Sequence, residues 1–234
     1  MQALTRSQIW LRRFCVLAVL MVSVVIILGA WTRLSDAGLG CPDWPGCYGH
    51  LDVRKAIDHV NTTNSAMPGS LREAHKTVPE MVHRYFASKL GLVILIIAAL
   101  SLLNRKKEKQ PVKLPLFLLA LVIFQGILGK WTVTMGLQPT IVMLHLLGGF
   151  TTLSLLLLLV LRLSGRLPAL TPSRALARLR TLAKLTMAVV IVQIMLGGWT
   201  STNYAAVACI DLPTCHGEWW PEMDFHTGFN LLHQ

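Results

Sequence analysis

The sequence predicts an all-α polytopic membrane protein, and three observations support that prediction. The chain of 234 residues is 53% hydrophobic and only 14% charged. Its charges are confined to the stretches between long apolar segments. Five such segments are long enough to cross a bilayer, which takes roughly 20 residues of helix. They run over residues 14–32, 81–103, 114–134, 139–161 and 182–202.

The basic residues predict how the chain is oriented in the membrane. Of the 22 lysines and arginines, 14 lie before the first segment, between the second and third, or from the end of the fourth into the first turn of the fifth. Cytoplasmic segments are rich in lysine and arginine. We therefore expect a cytoplasmic N-terminus, with residues 33–79 and 203–234 facing outward. The net charge of +11 then reflects topology, and nucleic-acid binding is not expected because no basic patch is interleaved with exposed aromatic residues.

An internal repeat organises the chain. Residues 28–47, LGAWTRLSDAGLGCPDWPGC, align without a gap on residues 196–215, LGGWTSTNYAAVACIDLPTC. Nine of the twenty positions are identical, where roughly one match is expected by chance. A shorter match relates QGILGKWTVT (125–134) to QIMLGGWTST (193–202). Glycines in these stretches let helices or a flat ligand approach closely, and for the glycines alone plain helix packing is the favoured explanation.

The repeat predicts a pseudo-twofold arrangement of four-helix bundles. The first bundle is complete and only the first helix of the second is present, giving five transmembrane helices. Residues 1–165 are expected to form the first bundle with its outward cysteine-containing segment 33–79. Residues 166–234 hold a cytoplasmic connector, the fifth helix and the start of a second outward segment. We therefore expect a C-terminally truncated product or a chain that has lost its second half.

Two histidines lie inside predicted spans at similar depth. His83 is about one turn into the second span, and His145 lies within two turns of the start of the fourth. Intramembrane ionisable residues are functional candidates, and imidazoles on facing helices at one level suit axial ligation of a heme iron. Small residues follow on the same helix faces and leave room for a porphyrin; these are Ala87, Gly148 and Gly149. For either histidine alone, a hydrogen bond to a neighbouring helix remains the alternative.

Four charged residues near the outer membrane edge are further candidates. Arg33, Arg84 and Lys130 depart from the positive-inside pattern. They could pair with heme propionates, or extend toward lipid headgroups. Glu80 precedes His83 by three residues and shares its face. A first-turn acid favoured by the helix dipole would occupy the same position, so position alone does not decide its role.

Four of the five cysteines fall in outward segments, where thiols are usually oxidised. These are Cys41, Cys47, Cys209 and Cys215, whereas Cys15 is expected to be a small apolar residue of the first span. A membrane thiol oxidoreductase is the weakest functional hypothesis, because five residues separate the partners and no CxxC motif occurs. The remaining histidines are interpreted as solvated loop residues; they are His50, His59, His75, His216, His226 and His233.

Four stretches together resemble the heme A synthase family, and its proteobacterial members in particular. They are GLGCPDWPGCYG, EMVHR, PTIVMLHLLGG and LGGWTSTNYAAVAC. The resemblance implies an enzyme of the bacterial inner membrane, built from two four-helix bundles. Such enzymes oxidise a methyl group of heme O to the formyl group of heme A, in the biogenesis of terminal oxidases.

The resemblance also implies roles for individual residues. His83 and His145 would be the axial ligands of the substrate heme, and Glu80 would take part in the reaction. The paired loop cysteines would be Cys41 with Cys47 and Cys209 with Cys215, with the first pair forming a disulfide cap. A second histidine pair, which binds a heme b cofactor in the family, would lie beyond residue 234.

A second hypothesis stays open beside the enzyme. The chain could be a heme-binding or assembly protein that carries heme without turning it over. The partners expected under either hypothesis are heme O and membrane lipids. Heme O synthase, terminal oxidase assembly factors and a second copy of this chain are the candidate protein partners.

Overall fold

The computed structural model describes residues 6–66, 74–107, 110–164 and 171–205, together with 208, 214, 215, 217 and 218. Within these ranges the chain forms six α-helices and no β-strand. Five of the helices are long and apolar enough to cross a membrane, which confirms the predicted class. The helices are α1 (Arg6–Leu34), α2 (Val53–Ala66), α3 (Ala74–Leu103), α4 (Lys113–Thr134), α5 (Pro139–Ser164) and α6 (Arg174–Thr202).

The spanning helices extend beyond the apolar segments that predicted them. Three of them begin about seven or eight residues earlier than predicted, and these are α1, α3 and α6. Hydropathy marks only the part of a helix that suits the hydrocarbon core, whereas the helical hydrogen bonds continue into polar residues at the membrane edge. At the start of α6, the hydroxyl of Ser173 accepts a hydrogen bond from the Leu176 N–H at 3.1 Å and caps the helix.

The chain divides into two compact units. The first comprises Met1–Leu137 and Gly148–Leu167, and the second comprises Gln138–Leu147 and Pro168–Gln234. In the second unit, α6 approaches the start of α5 closely at Gly198. A Cβ atom on Gly198 would stand 3.0 Å from a methyl group of Leu146. A small residue is therefore required at this contact between the two helices.

The core of the first unit joins side chains from four helices. Branched aliphatic residues dominate it and pack closely against one another. Cys15 is a free thiol buried in this core, as a small apolar residue would be. The fully buried members come from α1, α3, α4 and α5; they are Leu11, Cys15, Ala18, Val22, Leu90, Ile94, Ile97, Leu118, Leu156, Leu159 and Leu163.

Helix α2 was not predicted, because the segment 33–79 was expected to be a loop. Ala56 and Val60 are four residues apart and fully buried, so they form a short apolar stripe on an otherwise polar helix. Such a stripe is too short to stand out in a hydropathy scan. His59 lies exposed on this helix rather than in a loop.

A tyrosine attaches α2 to α3. The hydroxyl of Tyr85 accepts a hydrogen bond from the Val53 N–H at 3.1 Å and donates one to the carbonyl of Leu51. Val53 begins α2, so its N–H lacks an intrahelical acceptor. Tyr85 thereby satisfies two backbone groups at the start of α2 and brings this helix against α3.

The repeated Trp-Thr pairs mark the ends of three helices. The carbonyl of Thr32 accepts a hydrogen bond from the Ala37 N–H at 2.9 Å, and that of Thr132 accepts one from Leu137 at 2.8 Å. Helix ends of this kind are closed by a residue in the left-handed region. The residue four positions after each threonine has a positive φ; these are Asp36 at 48°, Gly136 at 61° and Tyr204 at 56°.

The two cysteine-containing segments share local backbone geometry. Cys47 and His50 exchange two backbone hydrogen bonds of 2.8 and 3.0 Å, and Cys215 and Glu218 exchange two of 2.9 and 3.1 Å. The glycine inside each pair has a positive φ, 78° at Gly49 and 80° at Gly217. The local turn therefore recurs with the sequence repeat, while the pseudo-twofold relation of whole bundles remains a prediction.

Candidate functional site

A disulfide closes the loop between α1 and α2. This cysteine loop comprises residues 35–52, and Cys41 and Cys47 are bonded within it and fully buried. The predicted first pairing is thereby confirmed. Cys209 lies outside the described residues, so the second pairing remains a prediction. Inside the loop, the carboxylate of Asp43 accepts a hydrogen bond from the Gly49 N–H at 2.9 Å and another from the Tyr48 N–H.

The backbone of the cysteine loop is in close contact with the backbone at the start of α3. A Cβ atom on Gly40 would stand 2.6 Å from the carbonyl carbon of Lys76. The obstacle is main chain rather than a flexible side chain, so only glycine allows this approach. The residue that follows, Cys41, is thereby brought within reach of the α3 side chains.

Glu80 is a buried carboxylate held by the cysteine loop. Its residue exposure is 4%, and its Oε2 accepts a hydrogen bond from the Cys41 N–H at 2.8 Å. Its Oε1 accepts one from the guanidinium of Arg84, which completes an ion pair one turn apart on α3. Because α3 begins at Ala74 and has no acid in its first turn, the first-turn interpretation of Glu80 is wrong. A buried charge of this kind requires such partners.

The guanidinium of Arg84 is hydrogen-bonded to backbone carbonyl groups of the same loop. Its guanidinium donates to the Asp43 carbonyl at 2.9 Å and to the Gly46 carbonyl, and the Pro45 carbonyl lies 3.4 Å away. The planar fork of an arginine suits several acceptors at once. Arg84 therefore fastens the loop to α3, and its predicted role toward a propionate remains a prediction.

The other two predicted cations lie near helix ends. Arg33 is 3.9 Å from the carboxylate of Asp36, which also pairs with Lys76 at 3.2 Å. Lys130 is exposed on the last two turns of α4. For both residues, the predicted pairing with a heme propionate remains a prediction.

His83 is oriented by the backbone of α1. Its Nδ1 lies 3.1 Å from the carbonyl oxygen of Val25. Because a carbonyl can only accept, Nδ1 carries the proton, and the lone pair of the neutral ring is on Nε2. The ring rests against Gly29, where a Cβ atom would stand 3.1 Å from its Cε1. Metal-binding histidines are typically oriented by a hydrogen bond of this kind.

His145 is half-buried on α5 and belongs to the second compact unit. Its pairing with His83 remains a prediction. The space expected for a porphyrin at Gly148 is filled instead, because a Cβ atom there would stand 2.7 Å from the Cδ of Gln125. Among the described residues, no atom lies within 4 Å of the corresponding position on Gly149. Of the predicted open positions on α5, Gly149 is thus the one that remains open.

Three contributors to this site were missed from the sequence. They are the carbonyl of Val25, the backbone at Gly29 and the side chain of Gln125. The Val25 carbonyl could not be found from the sequence, because every residue has a backbone carbonyl. The other two had a signal, since Gly29 falls in the repeated LGAW stretch and Gln125 opens the repeated QGILG stretch.

The fold and the site define a multi-pass helical membrane protein with an oriented histidine beneath a disulfide-closed loop. Comparison with known proteins is consistent with that class: the COX15-CtaA profile, described as cytochrome oxidase assembly protein, matches residues 12–234. The chain belongs to the COX15-CtaA family.

Similar proteins carry the name heme A synthase. That of Shewanella oneidensis is 49% identical over 221 residues, which cover 94% of this chain and 65% of the relative. That of Shouchella clausii is 28% identical, covering 96% of this chain and 70% of the relative. That of Halalkalibacterium halodurans is 25% identical, covering 90% and 66%. The chain thus spans about two thirds of the length of these relatives.

Proposed function

We propose that the protein acts in the oxidation of a methyl group of heme O to the formyl group of heme A. One observation supports this above the others. The imidazole of His83 is oriented by the Val25 carbonyl, and a buried carboxylate, Glu80, lies one helical turn away on the same face. The relatives named heme A synthase support the same reaction.

The residues present fit a heme. The Nδ1 of His83 is occupied by a backbone acceptor, so Nε2 is the nitrogen suited to an iron. The His83 imidazole packs against Gly29, which has no side chain to displace it. We propose His83 as one axial ligand from this geometry, and His145 as the second from its place in the sequence alone.

In this proposal a bound heme supplies the redox chemistry, and the side chains bind, orient and move protons. Oxidation of a methyl group releases protons, and Glu80 is the carboxylate placed to accept them. The Cys41 N–H and the Arg84 guanidinium stabilise its ionised form and hold it one helical turn from His83. The disulfide-closed loop covers this carboxylate and excludes water from it.

We propose a cytoplasmic N-terminus and an outward cysteine loop. The basic clusters support this orientation. Lys107, between α3 and α4, contacts the Ser7 hydroxyl at 2.8 Å, so these two basic ends lie together. Heme O is the proposed substrate, and a heme O synthase and terminal oxidase assembly factors are the proposed protein partners.

The test supplies heme O to cells that express the chain and analyses the extracted pigments. We expect a formyl heme, identified by mass and by its shifted pyridine hemochrome spectrum. In Glu80→Gln we expect at least about a hundredfold less product, because a general base contributes at least that much, while the spectrum of the bound heme is retained. Bound heme without any formyl product from the unmodified chain would contradict oxidation and favour a heme carrier.

Gly29→Val is expected to weaken heme binding about tenfold. The valine methyl groups would displace the His83 ring, and overpacking of this kind typically costs about 1–3 kcal/mol. Optical titration of the purified protein with heme measures the change. The matched control is Gly126→Val on α4, where the described residues leave open space around the new Cβ atom. Equal affinities for the two variants would show that the Gly29 contact does not orient the ring.

A further inference from the structure

A buried carboxamide on α4 fills the space at Gly148, and the proposed function assigns it no chemical role. Gln125 is only 9% exposed, and its Nε2 has no hydrogen-bond partner among the described residues. A buried amide left unpaired is destabilising, because its hydrogen bonds to water are lost without replacement. Buried N–H groups are therefore normally paired with protein, water or a ligand. Gln125 is thus a candidate donor toward a molecule bound within the bundle.

The carboxamide is placed by a glycine on the neighbouring helix. A Cβ atom on Gly148 would collide with the Nε2 of Gln125 and stand 2.7 Å from its Cδ. Both residues lie in the first compact unit. Glycine at position 148 therefore creates the space in which the amide group of Gln125 crosses from α4 toward the backbone of α5.

The depth of Gln125 indicates which part of a bound heme it would meet. It lies nine residues before Thr134, the last residue of α4, which is about 13 Å along the helix axis. The cysteine loop lies at that end, since a Cβ on Gly38 would stand 3.0 Å from a methyl group of Leu137. The candidate propionate partners Arg33 and Lys130 are also close to that end. A heme with its propionates there places its opposite edge at the deeper level of Gln125.

Heme O carries a distinctive acceptor at that opposite edge. Its isoprenoid substituent is attached through a carbon that bears an alcohol, whereas heme B has a vinyl group at the same position. An alcohol oxygen accepts hydrogen bonds through two lone pairs. We propose that the Nε2 of Gln125 donates a hydrogen bond to this alcohol oxygen and thereby selects hemes that carry it.

This inference rests on the proposed function and adds a specificity-determining residue to it. A site built to bond a substrate hydroxyl discriminates against the analogue without it, because the protein donor is then left buried and unpaired. Heme B, which has no hydroxyl at this edge, would therefore bind more weakly for a reason other than its missing tail. A buried water on Nε2 is the competing explanation.

The experiment compares two pigments that share the isoprenoid tail. Purified protein is titrated with heme O and with its dehydrated derivative, in which the alcohol has been eliminated to an alkene. We expect the unmodified protein to bind heme O about tenfold more tightly, which is the difference one good hydrogen bond makes. In Gln125→Met, which keeps the length of the side chain, we expect both pigments to bind equally.

Gln193→Met is the matched control, because Gln193 is the counterpart of Gln125 in the repeated stretch and is exposed on α6. It should discriminate as the unmodified protein does. Equal binding of both pigments by the unmodified protein would overturn the assignment and leave the proposed function intact, as would discrimination that survives in Gln125→Met. If neither pigment binds, the proposed function fails and the inference fails with it. The comparison on unmodified protein stands even if Gln125→Met does not fold.

Discussion

Replacing His83 with alanine is expected to abolish the low-spin heme spectrum of the purified protein. The imidazole is oriented by the Val25 carbonyl, so its Nε2 is the proposed iron ligand. Alanine removes that ligand, and the other histidine of α3, His75, is exposed and lies eight residues nearer the start of the helix. We expect at least about a hundredfold loss of heme affinity, because the iron would lose one of its proposed axial ligands.

The measurement is a reduced-minus-oxidised spectrum, with the protein-bound heme quantified as pyridine hemochrome. His59→Ala is the matched control, because His59 is exposed on α2 and its ring contacts the rings of Tyr48 and His50, away from the His83 ring. It should retain the full spectrum. A low-spin spectrum that persists unchanged in His83→Ala would exclude His83 as a ligand, whatever the activity of the variant.

Replacing Arg84 with alanine is expected to lower the free energy of unfolding by about 3–5 kcal/mol, the range for breaking one side of a buried ion pair. The side chains of Arg84 and Glu80 are only 12% and 5% exposed. Alanine removes the cation that pairs with the Glu80 carboxylate, and it also leaves the loop carbonyls of Asp43 and Gly46 without the Arg84 donor.

Thermal or denaturant unfolding in detergent, followed by circular dichroism, measures this loss. Arg54→Ala on the exposed face of α2 is the control and should change the stability by less than about 0.5 kcal/mol. The free energy of unfolding of Arg84→Lys should lie between those of Arg84→Ala and Arg54→Ala, because lysine restores the charge but not the planar set of guanidinium donors. A stability of Arg84→Ala equal to that of the control would show that the loop holds without this contact. The double variant Glu80→Gln with Arg84→Ala should be less destabilised than Arg84→Ala alone, since no buried charge is then left unpaired.

The spanning helices could be predicted because the signal for them is local. A run of apolar residues must form a helix in lipid, where every backbone group has to be satisfied within its own segment. The first disulfide could be predicted because its cysteines match the paired loop cysteines of the family that the sequence resembles, in a segment expected to face an oxidising compartment. His83 stood out because an imidazole is rare among the apolar residues around it.

The partners of these residues could not be predicted in the same way. Glu80 is bonded to the Cys41 N–H across 39 residues of chain, and His83 to the Val25 carbonyl across 58. Nearly every residue has the same backbone donor and acceptor, so the residue types do not indicate which backbone group will bind a given side chain. Helix α2 escaped detection because its apolar stripe is only two residues long and depends on the face that α3 offers it.

By itself, the sequence determined that this protein is a multi-pass helical membrane protein with two histidines on its apolar helices. These properties follow from hydropathy and from spacing along the chain. Only the tertiary structure decided that Arg84 fastens the loop, that Glu80 is buried beneath it, and that Gln125 fills the space at Gly148. Those contacts join residues that are distant in the chain and exist only once the helices have packed, because packing sets which buried polar groups meet.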